Sequence, residues 1–185
     1  SVYNREEFKT KLIDCATSLK VGSVWDAGNI VGPMITNKNE KLLHALEHLE
    51  PGESWLVAPR FVDKKRYILA PTIKWGVKPG SYSFRTELFG PMLSVCPFDT
   101  LDEAISLVNG LDYGLTSGIQ SLDEKEQKKW KSSIMAGNLY INRGITGAIV
   151  NRQPFGGMKL SAFGGGIKAG GPNYCSLFTY ITDKP

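Results

Sequence analysis

The feature that most constrains the fold is an alternation between apolar runs and segments that begin with helix-capping residues. Residues 92–98 form a mostly apolar run, and Thr100 with Glu103 then forms a capping box that opens a helix ending at Gly110. Residues 137–141 supply the next strand-like run. A mostly apolar run is typical of a strand buried on both faces of a parallel sheet. The alternation therefore predicts an α/β fold, an open sheet with flanking helices.

Other elements follow the same rules of capping and periodicity. Capping residues are expected at Asn4, Thr36 and Ser121, and the first and last of these are followed three residues later by a glutamate. The predicted helices run over 4–20, 36–50 and 121–133, and the predicted strands over 55–58 and 67–70. The first helix carries an apolar stripe that is expected to face the core.

Beyond Asn142 the sequence changes character. Residues 144–171 are rich in glycine with little periodicity, and a long irregular segment of this kind is usually functional or a linker. Residues 176–182 predict a lone terminal strand without a hairpin partner nearby, so it would need another sheet edge, for example one in a neighbouring subunit. We therefore expect one domain over 1–170, an oligomerisation tail over 171–185, and a homo-oligomer joined through the tail strand.

Charge and cysteine content argue against several classes of protein. The net charge of +4 is small, and the lysines lie among acids, which is typical of a solvated helix face rather than a nucleic-acid site. No apolar run approaches the roughly 20 residues that span a bilayer, so no membrane partner is expected. The three cysteines form no CxxC pair, which favours a reducing, cytoplasmic compartment.

Two patterns that suggest ligand binding have simpler explanations. His44 and His48 have a spacing that can chelate zinc, but the metalloprotease pattern needs glutamate where this chain has Ala45. Both histidines lie opposite the leucines of their predicted helix, so we interpret them as solvated and expect no metal. Glycines 164–166 match neither phosphate-binding pattern, and they are interpreted as a flexible or positive-φ turn.

None of the cysteines has the surroundings of a nucleophile. Cys15 lies on the apolar stripe of the first helix and Cys96 in the apolar run, so both are predicted to be small core residues. A reactive thiolate needs a polar, electropositive and partly exposed site. Cys175 lies in the tail with no visible base. None of the three cysteines is therefore a convincing nucleophile.

Two longer motifs indicate a family. Residues 87–91 read Glu-Leu-Phe-Gly-Pro, and residues 140–150 followed by 153–157 combine a strand with a glycine-containing loop. Both resemble segments of the aldehyde dehydrogenase superfamily. Shorter matches to that family occur in the same order at 32–35, 71–73, 102–105 and 113–116. The resemblance covers essentially the whole chain, and it implies the catalytic-domain fold of that family.

The first motif implies a cofactor site. By its position in the family, Glu87 would accept hydrogen bonds from the hydroxyls of the nicotinamide ribose, as an ionised carboxylate can. Phe89 would pack beside the nicotinamide ring and restrain its orientation, on which hydride transfer depends. The implied cofactor is NAD, and NADP stays open because the residues that select between them lie outside the matched segment.

The second motif implies the substrate. Its residues most resemble the pyrroline-5-carboxylate dehydrogenases, alone or within bifunctional proline-utilisation enzymes. In that branch the backbone N–H groups of the loop hold the carboxylate of glutamate semialdehyde, which places Gly147 and Ala148 at the anion. Phe155 would pack against the aliphatic chain of this small aldehyde. Asn151 departs from a frequent glycine in the family and puts the conformation of the loop in question.

The family mechanism needs a cysteine thiolate that attacks the aldehyde and a glutamate base that activates water. In the family both residues, and the dinucleotide-binding domain, precede the segment that matches residues 1–3. We therefore expect a parent enzyme that oxidises glutamate semialdehyde in proline catabolism, and an inactive chain in isolation. Two alternatives are a dehydrogenase of another aldehyde, and a naturally short, non-catalytic binding or assembly module.

Overall fold

The computed structural model describes residues 2–36, 38–65, 67–149, 152–164, 166–180 and 182–183. The chain divides into two compact units, Ser1–Pro97 and Phe98–Pro185. Each unit is built from both helices and strands. The boundary between 170 and 171 that was expected from the sequence stays a prediction.

The first unit is built around a small mixed sheet. Its elements are α1 (Glu6–Ser18), α2 (Glu40–Glu47), β1 (Ser54–Val57), β2 (Phe61–Asp63), β3 (Ile68–Leu69), β4 (Thr72–Trp75), α3 (Tyr82–Arg85) and β5 (Met92–Val95). The sheet has the order β1-β4-β5, in which β4 pairs antiparallel with β1 and parallel with β5. Strands β2 and β3 form a separate antiparallel pair. The central strand β4 is buried along its whole length.

The core of this unit forms where α2 packs beside the β2–β3 pair. Leu42 and Leu46 of α2 are buried with Leu69 and Leu88, as their spacing on one face of the helix predicts. Leu49, expected on the same face, is 45% exposed because the helix ends at Glu47.

Two predicted helix starts are wrong. Helix α1 follows Arg5, whose side chain makes no capping bond, and Asn4 belongs to a short 3-10 turn. Helix α2 begins after Asn39, which accepts a hydrogen bond from the Leu42 N–H at 3.1 Å. The Asn39 side chain also donates to the Leu88 carbonyl at 2.7 Å, a tertiary bond that Thr36 does not make. A cap that serves both its helix and a distant strand connection cannot be read from local spacing alone.

The expectation of a fully buried strand at 92–98 is also wrong. Strand β5 is parallel to β4, but it lies at the sheet edge, and Leu93 is 48% exposed. Helix α1 buries no residue, and its apolar stripe lines an open groove that includes Leu93. Cys15 is therefore exposed and Cys96 only half-buried, so neither is the core residue that the sequence predicted.

The second unit contains α4 (Leu101–Asn109), β6 (Tyr113–Gly114), β7 (Thr116–Ile119), α5 (Glu124–Ser133), β8 (Asn138–Ile141) and β9 (Met158–Lys159). Strands β7 and β8 are parallel, and β6 pairs antiparallel with β9. Ile105, Trp130 and Ile134 form the core between α4, α5 and the β7–β8 sheet. The α/β class and the strand at 137–141 are confirmed.

The caps of the second unit agree only partly with the sequence. Thr100 accepts from the Glu103 N–H at 3.2 Å, as predicted, and the Glu103 carboxylate accepts from the Asp99 N–H at 2.8 Å. Helix α5 is capped by Asp123, which accepts from the Lys125 N–H at 2.7 Å, rather than by Ser121. Its end at Ser133 is as predicted.

The tail does not form the predicted strand. Tyr174–Phe178 is a 3-10 helix, and residue 181 lies outside the described residues. Within this helix the Ser176 N–H donates to the Asn173 carbonyl at 3.1 Å. Gly164 and Gly166 have positive φ, as predicted, and Gly165 lies outside the described residues.

The histidine pair is exposed, as the sequence predicts. The rings of His44 and His48 stack on each other with centroids 4.2 Å apart. Among the described residues there is no group of three or more metal-binding side chains. In the same part of the chain, no helix has the length and apolar character to cross a bilayer.

Candidate functional site

A pocket of about 580 Å³ lies in the second unit, beside the β7–β8 sheet. Its lining consists of Thr116, Ile145, Thr146, Gly147, Ala148, Ile149, Gln153, Phe155, Ala169 and Gly170. Three of the residues singled out from the sequence, Gly147, Ala148 and Phe155, therefore lie on one pocket. The remaining lining residues were not predicted as site residues.

One side of the pocket is formed by residues 143–149, which we call the pocket loop. The loop follows β8, and Gly147 within it has a φ of +84°, a conformation that residues with a Cβ adopt only at a cost. The N–H groups of Thr146, Gly147 and Ala148 have no hydrogen-bond acceptor among the described residues. Consecutive amides without internal partners can bind an anion.

Phe155 also lines the pocket, and this residue is 37% exposed. Its backbone forms an isolated bridge with Ala169, with hydrogen bonds of 3.0 and 2.9 Å. The next residue, Gly156, is fixed to β8 because its carbonyl accepts from the Asn138 side chain at 3.0 Å. The backbone of residues 155 and 156 is thus held by Ala169 and by the Asn138 side chain of β8.

The lining is chemically simple. It is mostly apolar, its polar side chains are those of Thr116, Thr146 and Gln153, and no lining residue is charged. None of the three cysteines lies in this lining. A negative group would be held there by backbone dipoles instead of by a cation, and the aliphatic part of a ligand would contact the apolar side chains.

The other predicted site residues, Glu87 and Phe89, lie on one turn of the first unit. Between them Leu88 is buried, and its carbonyl accepts from Asn39 at 2.7 Å. Gly90 packs against Leu42, where an added Cβ would overlap the leucine side chain. The turn is therefore held by its middle residue and its glycine, and both predicted residues are left outside the core.

The chemistry of this turn fits a nicotinamide cofactor. Glu87 is exposed, and Phe89 is 71% exposed with a φ of +48°. An exposed, strained aromatic residue costs stability, and such strain is commonly found at functional sites. A carboxylate acceptor suits a ribose diol, and an aromatic face suits the flat nicotinamide ring.

Sequence reasoning missed several residues that shape the pocket. Asn142 has a φ of +55°, and its side chain makes two hydrogen bonds to Ser121. Asn138 is 2% exposed and bonds the carbonyls of Leu115 and Gly156. An asparagine at each end of an apolar strand was a usable signal, because asparagine tolerates left-handed backbone and binds backbone groups.

The comparisons with known proteins agree with this architecture. The model of the aldehyde dehydrogenase family matches residues 1–183, and this chain belongs to that family. A 1-pyrroline-5-carboxylate dehydrogenase of Geobacillus sp. (strain WCH70) is 32% identical over 93% of this chain and 33% of its own length. The chain thus spans about a third of the length of that relative.

Two solved structures show the same fold. Proline Utilization A (PutA) from Corynebacterium freiburgense is 43% identical, with a TM-score of 0.89 over 97% of this chain and 19% of that chain. A 1-pyrroline-5-carboxylate dehydrogenase from Thermus with bound NAD is 32% identical, with a TM-score of 0.82 over 94% of this chain and 33% of that chain. The resemblance inferred from the motifs, and the fold class, are confirmed.

Proposed function

We propose that this chain is part of an NAD-dependent enzyme that oxidises L-glutamate γ-semialdehyde to glutamate in proline catabolism. The observation that carries the proposal is the pocket of the second unit, where three amides without acceptors among the described residues adjoin an apolar lining. This arrangement suits a ligand with a carboxylate and a short aliphatic chain. The names of the similar proteins point to the same substrate.

Each part of the pocket has a proposed role. The N–H groups of Gly147 and Ala148 hold the substrate carboxylate, and Phe155 packs against its methylene groups. A fixed carboxylate and a fixed chain together restrict where the aldehyde carbon lies. Such restriction contributes to rate because the reacting atoms then spend more time in productive geometry.

The cofactor is proposed to bind at the turn of the first unit. Glu87 accepts hydrogen bonds from the nicotinamide ribose, and Phe89 limits the orientation of the ring. When bound, NAD supplies the acceptor for the hydride that leaves the aldehyde carbon. The Thermus structure with bound NAD supports NAD as the cofactor.

The 185 residues alone are proposed to be inactive. The chemistry of the family needs a thiolate beside the aldehyde carbon, and Cys15, Cys96 and Cys175 all lie outside the lining of the pocket. The thiolate and the base that activates water would then come from other residues of the enzyme. A homo-oligomer and a cytoplasmic location are proposed with the same function.

A second candidate is a dehydrogenase of a neutral aldehyde. None of the described residues that line the pocket is charged, which favours this candidate because a carboxylate ligand is often paired with a cation. The two candidates differ in one measurable quantity, the ratio of kcat/KM for a carboxylated and an uncharged aldehyde.

We expect the product of the complete reading frame that contains this chain to prefer glutamate semialdehyde over propanal by about hundredfold or more in kcat/KM. Two charge-assisted hydrogen bonds, at about 1.5–3 kcal/mol each, account for such a ratio. NADH formation with each aldehyde measures it. Comparable values for the two aldehydes would favour the neutral-aldehyde candidate. The 185-residue chain alone should form no NADH.

Substitution of Gly147 tests the anion site directly. Because φ is +84° there, Gly147→Ala should shift the loop and raise KM for glutamate semialdehyde about tenfold, with little change for propanal. Gly164→Ala is the matched control, since Gly164 has a φ of +62° and open space around it but lies outside the pocket lining. An equal rise in KM in both variants would argue against a carboxylate site at Gly147.

Substitution of Glu87 tests the cofactor site. Glu87→Ala in the full-length protein should raise KM for NAD about tenfold, because one charge-assisted contact of about 1.5–3 kcal/mol is lost. KM for the aldehyde should change little. Glu7→Ala removes an exposed carboxylate from α1 of the same unit and should leave both constants unchanged. An unchanged KM for NAD in Glu87→Ala would refute the assignment.

A further inference from the structure

We propose that Asn142 and Gly118 are positioning residues that hold the pocket loop on the β7–β8 sheet and thereby set its affinity for the substrate carboxylate. This inference rests on the proposed function for the identity of the ligand. Neither residue lies in the pocket lining, so neither would contact the substrate. They would change the affinity for the substrate only by changing the position of the pocket loop.

Asn142 makes a three-bond attachment at the start of the loop. Its N–H donates to the Ile119 carbonyl at 2.9 Å, one residue beyond the end of β8. Its side-chain Oδ1 accepts from the Ser121 N–H at 2.9 Å, and its Nδ2 donates to the Ser121 carbonyl at 2.9 Å. Asn142 therefore fixes the exit direction of the chain from β8 through both its backbone and its side chain.

The partner of this attachment is itself fixed. The Ser121 hydroxyl donates to the Glu126 carboxylate at 2.6 Å, and the Ser121 carbonyl also accepts from the Gln127 side chain at 2.8 Å. Gln120 adds a bond from its side chain to the Arg143 carbonyl at 3.2 Å, within the loop itself. The beginning of the loop is thus bonded to the segment that leads into α5.

Gly118 supports the loop at a second point. A Cβ added at Gly118 would lie 2.7 Å from Cγ2 of Ile145, so the isoleucine rests where the strand has no side chain. Ile145 is a lining residue of the pocket. A methyl group at position 118 would therefore push Ile145 away from the sheet and move the loop with it.

These two supports matter because the loop has little internal support. The N–H groups of Thr146, Gly147 and Ala148 make no bond to other described residues, which leaves them available to a ligand. Amides that are kept available for a ligand cannot also order the loop, so the order must come from its attachments. A loop ordered in advance binds more tightly, because less conformational entropy is lost on binding.

The first test is Asn142→Gly in the full-length protein. Glycine accepts the positive φ of this position, so only the two side-chain bonds are lost. We expect KM for glutamate semialdehyde to rise about tenfold while kcat and the KM for propanal stay within about twofold. Hydrogen exchange of the amide at position 142, measured without ligand, should become faster.

Asn109→Gly is the matched control. Asn109 also makes two side-chain bonds in the second unit, to the Ser133 carbonyl at 2.8 Å and from the Met135 N–H at 2.7 Å. It should lower stability similarly and leave KM for both aldehydes unchanged. If Asn109→Gly raised KM as much as Asn142→Gly, the effect would be a general loss of stability, and the inference would be wrong.

The second test uses a double-mutant cycle. Gly118→Ala should raise KM for glutamate semialdehyde. In a protein that already carries Ile145→Ala, the same change should have almost no effect on this KM, because the Cγ2 methyl group of Ile145 that the new Cβ would meet is absent. Additive effects of the two changes would overturn the role of Gly118.

The outcomes separate this inference from the proposed function. If the wild-type protein did not prefer glutamate semialdehyde over propanal, the proposed function would be wrong. The carboxylate affinity on which this inference rests would then be wrong as well. If the wild-type protein preferred glutamate semialdehyde but Asn142→Gly changed neither KM for this substrate nor hydrogen exchange of the amide at position 142, only the positioning inference would be wrong. A fall in kcat for both aldehydes alike would also contradict it, since that indicates a general structural role.

Discussion

Lys74→Met should lower the free energy of unfolding of this chain by about 3–5 kcal/mol, the range found when one partner of a buried ion pair is removed. Lys74 lies in the middle of β4, and its side chain is 2% exposed. Its ammonium group lies 3.2 Å from the Glu53 carboxylate, 2.9 Å from the Ser83 hydroxyl and 2.8 Å from the His48 carbonyl. All three donors of the lysine thus have acceptors.

The loss would come mainly from the partners that stay behind. The Glu53 side chain is 1% exposed, and its Oε1 has no partner among the described residues. Without Lys74 its charge would be buried with only the Glu50 N–H, 3.0 Å away, as a donor. An isolated buried carboxylate is far more costly than a paired one.

Urea denaturation followed by tryptophan fluorescence measures this loss, since Trp55 and Trp75 flank the pair in the same sheet. Lys128→Met is the control, because the pair between Lys128 and Glu124 is 80% and 82% exposed and should change stability by less than about 1 kcal/mol. The double variant Lys74→Met/Glu53→Leu should be less destabilised than Lys74→Met alone. A loss below about 1 kcal/mol in Lys74→Met would show that the pair is not buried as described.

Gly137→Ala is expected to have the second large effect, a loss of about 1–3 kcal/mol or more in stability, as overpacking of rigid backbone produces. A Cβ at Gly137 would overlap the carbonyl of Gly156, and the Lys168 side chain bonds the Gly137 carbonyl from another direction. The Gly156 carbonyl is backbone and accepts from Asn138, and the Lys168 side chain is already bonded to Gly137. Neither group can therefore move away from a new Cβ without breaking a contact.

The same change should damage the pocket. Gly156 directly follows Phe155, so displacing it moves the aromatic side of the pocket as well as the strand. Thermal unfolding of the chain and KM of the full-length protein should therefore change together. Gly144→Ala is the control for stability, because a Cβ there meets nothing within 4 Å and φ is not positive, so a change below about 0.5 kcal/mol is expected. Equal stability of the two variants would contradict the close packing at Gly137.

Local sequence patterns predicted some elements well. Thr100 and Glu103 cap α4 as their spacing indicated, because a capping box involves only residues within one helical turn. The same rule failed at Asn4, which belongs to a 3-10 turn, and at Ser121, because α5 is capped by Asp123 instead. The single cap expected at Thr36 is Asn39, whose side chain also donates to the Leu88 carbonyl. A cap that also bonds a residue distant in sequence cannot be predicted from the spacing of neighbouring residues.

Burial was predicted less well than the strands themselves. The apolar run that contains β5 is a strand parallel to β4, but its place at the sheet edge leaves Leu93 half exposed. Hydropathy indicates that a segment can be buried, whereas the elements that pack on the faces of the sheet decide whether its side chains are covered. The tail strand was also predicted wrongly, since Tyr174–Phe178 forms a 3-10 helix.

The sequence alone determined the α/β class, the family, and the five residues proposed to contact cofactor and substrate. It did so because the motif at residues 87–91 and the pocket loop each keep their chemistry within a few consecutive residues. Tertiary structure alone decided which residues form one pocket, since its lining joins positions from Thr116 to Gly170. It also decided the buried pair of Lys74 with Glu53 and the attachment of Asn142 to Ser121. These contacts connect residues about twenty positions apart, and only the folded chain brings them within hydrogen-bond distance.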